Sequence, residues 1–358
     1  MENFIDLIIA WRDDYGVTPL VLAGGGIIGL IFGVFAERSD FCSRMALVHL
    51  MDGTWRRNSS SLLIVLIAML SALVAVQSAV YMGMDGVDQS VSHEGDLRLG
   101  GIVIGSMLFG MGMVLARGCV SRLLVLSGRG NSRAMITIVF LGLVAWSSIS
   151  GVLAAPRLAL AGLGSISFEA NHGHVISGII GLGLVLAIVV LWPYRRDFKL
   201  SDALAPLVIG GLVLAGFFVT SVIGADDFDP VPVEGLRFLQ PLTETLSYWS
   251  YASALPLKFG LGVVGGTVLG AAVSAFISGR SKIESFENAP HPLQYLSGAL
   301  LMGFGGVVSG GCTIGWMLNN AATGHLGVGL AIFGYILGYK ITHAGLIPFG
   351  RRQSAPQF

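Results

Sequence analysis

The chain has 358 residues, of which 54% are hydrophobic and only 12% charged, with a mean hydropathy of +0.77. Soluble globular proteins carry about 25% charged residues, so this composition leaves too little polar surface to coat a water-soluble globule. A formal net charge of zero gives no reason to expect nucleic acid as a partner.

The stretch from Met1 to Tyr15 carries Glu2, Asp6, Asp13 and Asp14 and lacks a basic region. It does not read as a cleaved signal peptide, and the first apolar segment is expected to be retained. A bilayer core needs about 20 apolar residues per helix. Nine segments approach that length: 17–36, 60–82, 99–117, 134–154, 173–192, 205–223, 256–277, 294–309 and 326–347. The expected fold is therefore an all-α polytopic membrane protein of about nine transmembrane helices. Glycine supplies 51 residues, which lets such helices approach closely and lets the backbone break where a cavity requires it.

Fifteen of the 21 basic residues fall in one alternate set of connections: Arg38, Arg44, Arg56, Arg57, Arg117, Arg122, Arg129, Arg133, Arg195, Arg196, Lys199, Arg280, Lys282, Arg351 and Arg352. The opposite set holds Arg12, Arg98, Arg157, Arg237 and Lys258, with acidic stretches from Asp85 to Asp96 and at Asp226, Asp227 and Asp229. Positive residues stay inside. The N-terminus is thus expected outside and the C-terminus in the cytoplasm, in a bacterial inner membrane. An odd number of spans requires the same. Trp11, Trp55, Trp192 and Trp249 lie near span ends, as interfacial anchors do.

Three segments align with one another. They run from Gly29 to Val48, from Gly105 to Leu126 and from Gly298 to Asn319. Each is a glycine-rich apolar span, then a cysteine, then a short apolar stretch. A fourth, from Ile209 to Gly224, has the span without a cysteine. The chain then divides into a first half at 1–155, a connecting span and loops at 156–204, and a second half at 205–358. Counting crossings, the halves face opposite ways, which is the inverted-repeat design of many transporters.

Cys42, Cys119 and Cys312 are the cysteines of the chain, and no CxxC occurs. An odd number and this spacing argue against a disulfide framework or a dithiol motif. The stretches after them are too short to cross a bilayer and suit half-helices that dip in and return. Gly118, Gly310 and Gly311 give the turns their freedom. A dianion leaving water needs donors to replace its hydration. Half-helix N-termini offer backbone N–H groups, and a thiol adds a weak donor without trapping the ion. Ser43, Ser121 and Thr313 either donate to a substrate or cap the short helices. Arg44 and Arg122 either attract anions at the inner mouth or anchor the cytoplasmic face. Asn319 and Asn320 read as a helix end. Lys340 lies within the last span, near enough to its inner end to snorkel. Glu169, His172 and His174 read as a solvated loop, since no fourth metal ligand accompanies them. Neither a cofactor nor a metal is expected, and no nucleophile–base arrangement suggests an enzyme.

In the motifs FAERSDFCSRMAL around Cys42, LARGCVSRLLVLSGRGNSRA around Cys119 and GFGGVVSGGCTIGWML around Cys312, the chain resembles the YeeE/YedE family of sulfur-compound transporters. The resemblance implies a nine-span fold with short inserted helices. It further implies thiosulfate uptake, with Cys42, Cys119 and Cys312 handing the ion along by S–H hydrogen bonds. Some relatives act with a selenium compound or a small cytoplasmic sulfur-carrier protein, and both remain open here. The rival readings are a membrane thiol-redox protein and a channel for a metal ion or another small solute.

Overall fold

The computed structural model describes residues 16–51, 53, 59–82, 95–168, 173–194, 203–225, 231–253, 255–281 and 292–344. Expectations placed on both termini, on Trp55, Arg56 and Arg57, on Glu169 and His172, on Arg195, Arg196, Lys199 and Lys282, and on the acidic residues 85–94 and 226–229 lie outside the described residues, as does the side chain of His174.

Each apolar segment named above falls on a helix. Helix α1 (Val17–Arg38) is followed by the short α2 (Ser43–Met51) and by α3 (Ser59–Tyr81). Strand β1 (Gly95–Arg98) leads into α4 (Leu99–Leu115), the short α5 (Val120–Gly128) and α6 (Ser132–Ser150). The connection holds α7 (Ala154–Ala161), β2 (Ser165–Phe168) and α8 (Gly173–Leu191). In the second half α9 (Leu204–Phe218) runs on as a π-helix over Val219–Ile223, and the short α10 (Leu239–Ser250) and α11 (Phe259–Ile277) follow. Helix α12 (Pro292–Ser309) precedes a short α13 at residues 313–322, π-helical across Gly315–Asn320, and α14 (Gly327–His343) closes the described chain. The body is helical as expected. The departure is a two-stranded antiparallel ribbon in which Gly95 of β1 faces Phe168 of β2 and Arg98 faces Ser165.

Among the described residues, six helical stretches are long and apolar enough to cross a membrane, and the protein is a multi-pass membrane protein. Lipid tails are as apolar as leucine, so helices here are held by close packing rather than by expulsion of water. Glycine provides that closeness. A methyl added at Gly25, Gly29 or Gly33 of α1 would strike the carbonyls of Phe259, Val263 and Thr267 on α11. In return, one at Gly262, Gly266 or Gly270 would strike those of Leu22, Gly26 and Leu30. The numbers rise together, so α1 and α11 run parallel with backbone against backbone. Helices α4 and α14 are parallel by the same test, Gly334 resting on Ser106 and Gly338 on Met107. Helices α4 and α12 are antiparallel, Gly105 meeting Ser309 and Gly112 meeting Gly298. Two further pairs, α9 with α3 and α12 with α6, complete the scaffold.

The seam predicts a contrast within a single turn of α1. Gly29→Ala is expected to cost about 1–3 kcal/mol of stability, as overpacking does. Gly26→Ala places a methyl with nothing within 4 Å and is expected to be neutral or stabilising. Melting curves of the purified protein in detergent distinguish the two, and equal melting temperatures would contradict the close seam.

Candidate functional site

The three cysteines sit where a helix is stopped inside the protein. Asp40 (φ 49°), Arg117 (φ 57°) and Gly310 (φ 83°) each occupy the left-handed region two residues before a cysteine. This is the residue that ends a helix in a Schellman turn, where the next amides reach back to the orphan carbonyls. The Phe41 amide accordingly donates to the Ala36 carbonyl at 3.2 Å, and the Gly311 amide to that of Gly306 at 2.9 Å. The Arg117 amide donates to Val114 at 3.3 Å. This corrects the expectation for Gly118 and Gly311. The turn falls one residue earlier, on Arg117 and on Gly310. Gly118 instead makes room for Leu123, and Gly311 for the Trp316 ring.

After each turn the cysteine precedes a short helix, and the starts of these helices meet. Cys42, Cys119 and Cys312 are all buried, as are Ser43, Ser121 and Thr313. The Ser43 hydroxyl lies 3.0 Å from Thr313 Oγ1 and 3.6 Å from Cys119 Sγ. Ser121 Oγ is 3.3 Å from the same sulfur. The Cys42 and Cys119 thiols lie close enough to influence each other. The backbone N–H groups of Gly315, Phe238 and Leu239 lie near the Cys312 sulfur. Phe238 and Leu239 open α10, so the unit without a cysteine also sends a helix start to the centre. That helix escaped the sequence reading because a loop, and no cysteine, separates it from its span.

Arg44 and Arg122 have different surroundings. Arg44 lies within electrostatic reach of Cys42, Arg117, Tyr339 and Cys119, its Nη1 is 3.8 Å from Met45 Sδ, and its Nε has no hydrogen-bond partner among the described residues. Arg122 is turned to Asp40, at 2.9 Å. Asp40 also faces Arg129 at 3.7 Å. Fully buried Glu37 sits between Arg280 at 3.6 Å and Arg129 at 3.8 Å, and accepts from Ser274 Oγ at 2.9 Å. The charged run Glu37-Arg38-Ser39-Asp40, inside an apolar motif, was the signal for this cluster. It ties the ends of α1, α5 and α11 together. Lys340 is exposed on α14.

At the opposite end, before α4 begins, Arg98, Arg157 and Arg237 line an open pocket of about 240 Å³ with Trp316, Asn320 and His325. These arginines belong to the sparse basic set, and only the fold shows that they share a pocket. Arg237 is held through Nε and Nη2 by the Asn319 amide oxygen, at 2.9 and 3.2 Å once that amide is oriented to accept. Arg157 Nε and Trp316 Nε1 have no hydrogen-bond partner among the described residues. The Trp316 amide in turn bonds the Cys312 carbonyl at 3.0 Å, so the pocket floor adjoins the cysteine turn. No group of three or more His, Cys, Asp or Glu suited to a metal occurs among the described residues.

Comparison with known proteins places the chain in a family. A profile described as sulphur transport matches residues 38–341. The chain is 27% identical over 333 residues to a protein of Spirochaeta thermophila named thiosulfate transporter TsuA, covering 88% of this chain and 96% of that one. It is 24% identical over 322 residues to the Escherichia coli protein of the same name, covering 82% and 86%.

Removing the buried carboxylate tests the ion cluster. A fully buried pair broken in this way loses roughly 3–5 kcal/mol. Here Arg129 and Arg280 are 23% and 45% exposed, so water screens them. Glu37→Ala is expected to cost about 1–3 kcal/mol, seen as a lower melting temperature, and Ser274→Ala less. An unchanged melting temperature for Glu37→Ala would mean that the cluster does not hold the helix ends.

Proposed function

The chain belongs to the sulphur transport family, and on that premise we propose that it takes up thiosulfate, or a closely related small sulfur-containing anion, along a central path lined by Cys42, Cys119 and Cys312. The observation that carries this reading is the meeting of Ser43, Thr313, Cys119 and Ser121 in one buried cluster at the starts of short helices. A dianion entering such a place exchanges water for hydroxyl, thiol and backbone N–H donors. None of these is a fixed full charge, so each holds the ion weakly enough to release it. The names of the relatives, both thiosulfate transporters, support the choice of substrate.

The route begins at the arginine pocket, passes Cys312, reaches Cys119 and Cys42, and leaves past Arg44. Positive charge at the mouth concentrates anions before they lose their hydration. We place this pocket outside and the Glu37 cluster at the cytoplasmic face of a bacterial inner membrane, following the distribution of basic residues. Nine crossings make α1 and α11 run the same way, α4 and α14 the same way, and α4 and α12 opposite ways. The glycine contacts run in those directions. An inverted repeat also accounts for the helix pairs: the first span of each unit packs on the last span of its counterpart, α1 on α11 with α9 on α3, and α4 on α14 with α12 on α6. One observation favours the rival redox reading, namely the closeness of the Cys42 and Cys119 thiols.

Uptake of labelled thiosulfate in cells lacking other sulfur importers tests the proposal. Wild type is expected to accumulate the label, and Cys42→Ala, Cys119→Ala and Cys312→Ala to lose most of it at matched membrane levels. Absence of wild-type uptake would reject thiosulfate. Wild-type uptake that the cysteine variants retain would reject the cysteine path, and a mixed disulfide trapped with a partner would favour redox chemistry. For the outer pocket, Arg98→Gln with Arg157→Gln is expected to raise KM several-fold with little change in Vmax. The difference should shrink as ionic strength screens the charge.

A further inference from the structure

Two hydroxyls near the cysteines have no part in the cluster described so far. Tyr335 of α14 and Ser106 of α4 are fully buried, each at 0% exposure. Neither the Tyr335 hydroxyl nor Ser106 Oγ has a hydrogen-bond partner among the described residues. They lie on parallel helices in close contact, where Gly334 rests against the Ser106 side chain and Gly110 leaves room for the Tyr335 backbone. The Tyr335 ring is fixed edge-on by Phe109, with centroids 5.6 Å apart. Its hydroxyl approaches Ser106 Oγ without meeting hydrogen-bond geometry, and it lies within electrostatic reach of Cys312 and Cys119. The two hydroxyls thus lie near one another, each without a hydrogen-bond partner among the described residues, and Tyr335 is within electrostatic reach of Cys312 and Cys119.

Buried hydroxyls normally find partners, and one left bare is costly. Phenylalanine would fill the Tyr335 site with the same packing and without that cost. Thiols are weak donors and suit a polarizable sulfur atom. Oxygen atoms bearing negative charge call for O–H or N–H donors, which bind them more strongly.

We propose that the Tyr335 and Ser106 hydroxyls form an oxygen-binding site between Cys312 and Cys119, which donates to the terminal oxygens of a sulfur oxoanion as the thiols pass it on. This rests on the transport reading above and adds what that reading lacks, a reason for the path to prefer an oxygen-bearing anion. The substrate is handed over unchanged, and no covalent bond forms or breaks.

The test measures concentration-dependent uptake of labelled thiosulfate by wild type, Tyr335→Phe, Ser106→Ala and the double variant, at matched membrane levels and with melting temperatures recorded. Tyr335→Phe is expected to lower Vmax/KM about tenfold, the scale of a lost hydrogen bond to a charged group, with an unchanged melting temperature. Ser106→Ala is expected to lose less, and the double variant at least as much as Tyr335→Phe. Wild-type uptake combined with undiminished uptake by Tyr335→Phe would overturn this proposal and leave the thiosulfate path standing. A loss that follows a lowered melting temperature in both single variants would overturn it as well, by making the pair structural. No wild-type uptake would overturn the thiosulfate reading itself, and this proposal with it.

Discussion

Hydrocarbon does not forgive a bare amide, and this chain nevertheless stops helices at membrane depth. Everything distinctive about it follows from how that is done. Each stop turns on one left-handed residue, at Asp40, Arg117 and Gly310, so that the amides after the turn recover carbonyls behind it. The amides of the next short helix then point toward the centre. They find company there: the other short helices, the hydroxyls of Ser43, Ser121 and Thr313, and the sulfur atoms. At the far end of α13, Gln77 from α3 donates to the Ala322 carbonyl at 3.0 Å. A break in a helix, expensive when it stands alone, becomes part of a polar core in which several breaks share partners.

The same arrangement separates charge from chemistry. Full charges sit at the two ends, in the arginine pocket and in the Glu37 cluster. The middle holds mostly neutral donors, with Arg44 the charge within electrostatic reach of Cys42 and Cys119. Arg122, though only three residues from Cys119, belongs with the charged end, held by Asp40 at 2.9 Å.

Much of this was legible in the sequence because hydrophobic length is a local property. The nine segments could be counted residue by residue, and the repeated cysteine marked where each short helix begins. What was not legible depended on residues far apart in the chain. Nothing in the stretch around Arg98 says that Arg157 and Arg237 will share its pocket. Likewise Ser106 and Tyr335 look like ordinary members of apolar helices until α4 and α14 are laid side by side. The left-handed position was assigned to Gly118 on the general preference of glycine for such turns, yet Arg117 carries it, because a Schellman turn counts from the end of the helix. Helix α10 has no cysteine to announce it, and only the fold brings its first residues, Phe238 and Leu239, near Cys312.

The glycine seams carry a consequence for motion. Helix α1, early in the chain, is sunk into α11, late in it, while α4 lies against both α12 and α14. Early and late helices are thus laced through one another rather than stacked as two blocks. Swinging one against the other would lift carbonyls out of grooves that only glycine leaves open, along several helices at once. A stiff frame of this sort confines adjustment to the small pieces inside it, the short helices and the side chains at their tips. Such a protein works less like a pair of jaws than like a lock with moving tumblers, and the turns at Asp40, Arg117 and Gly310 are where those tumblers are hung.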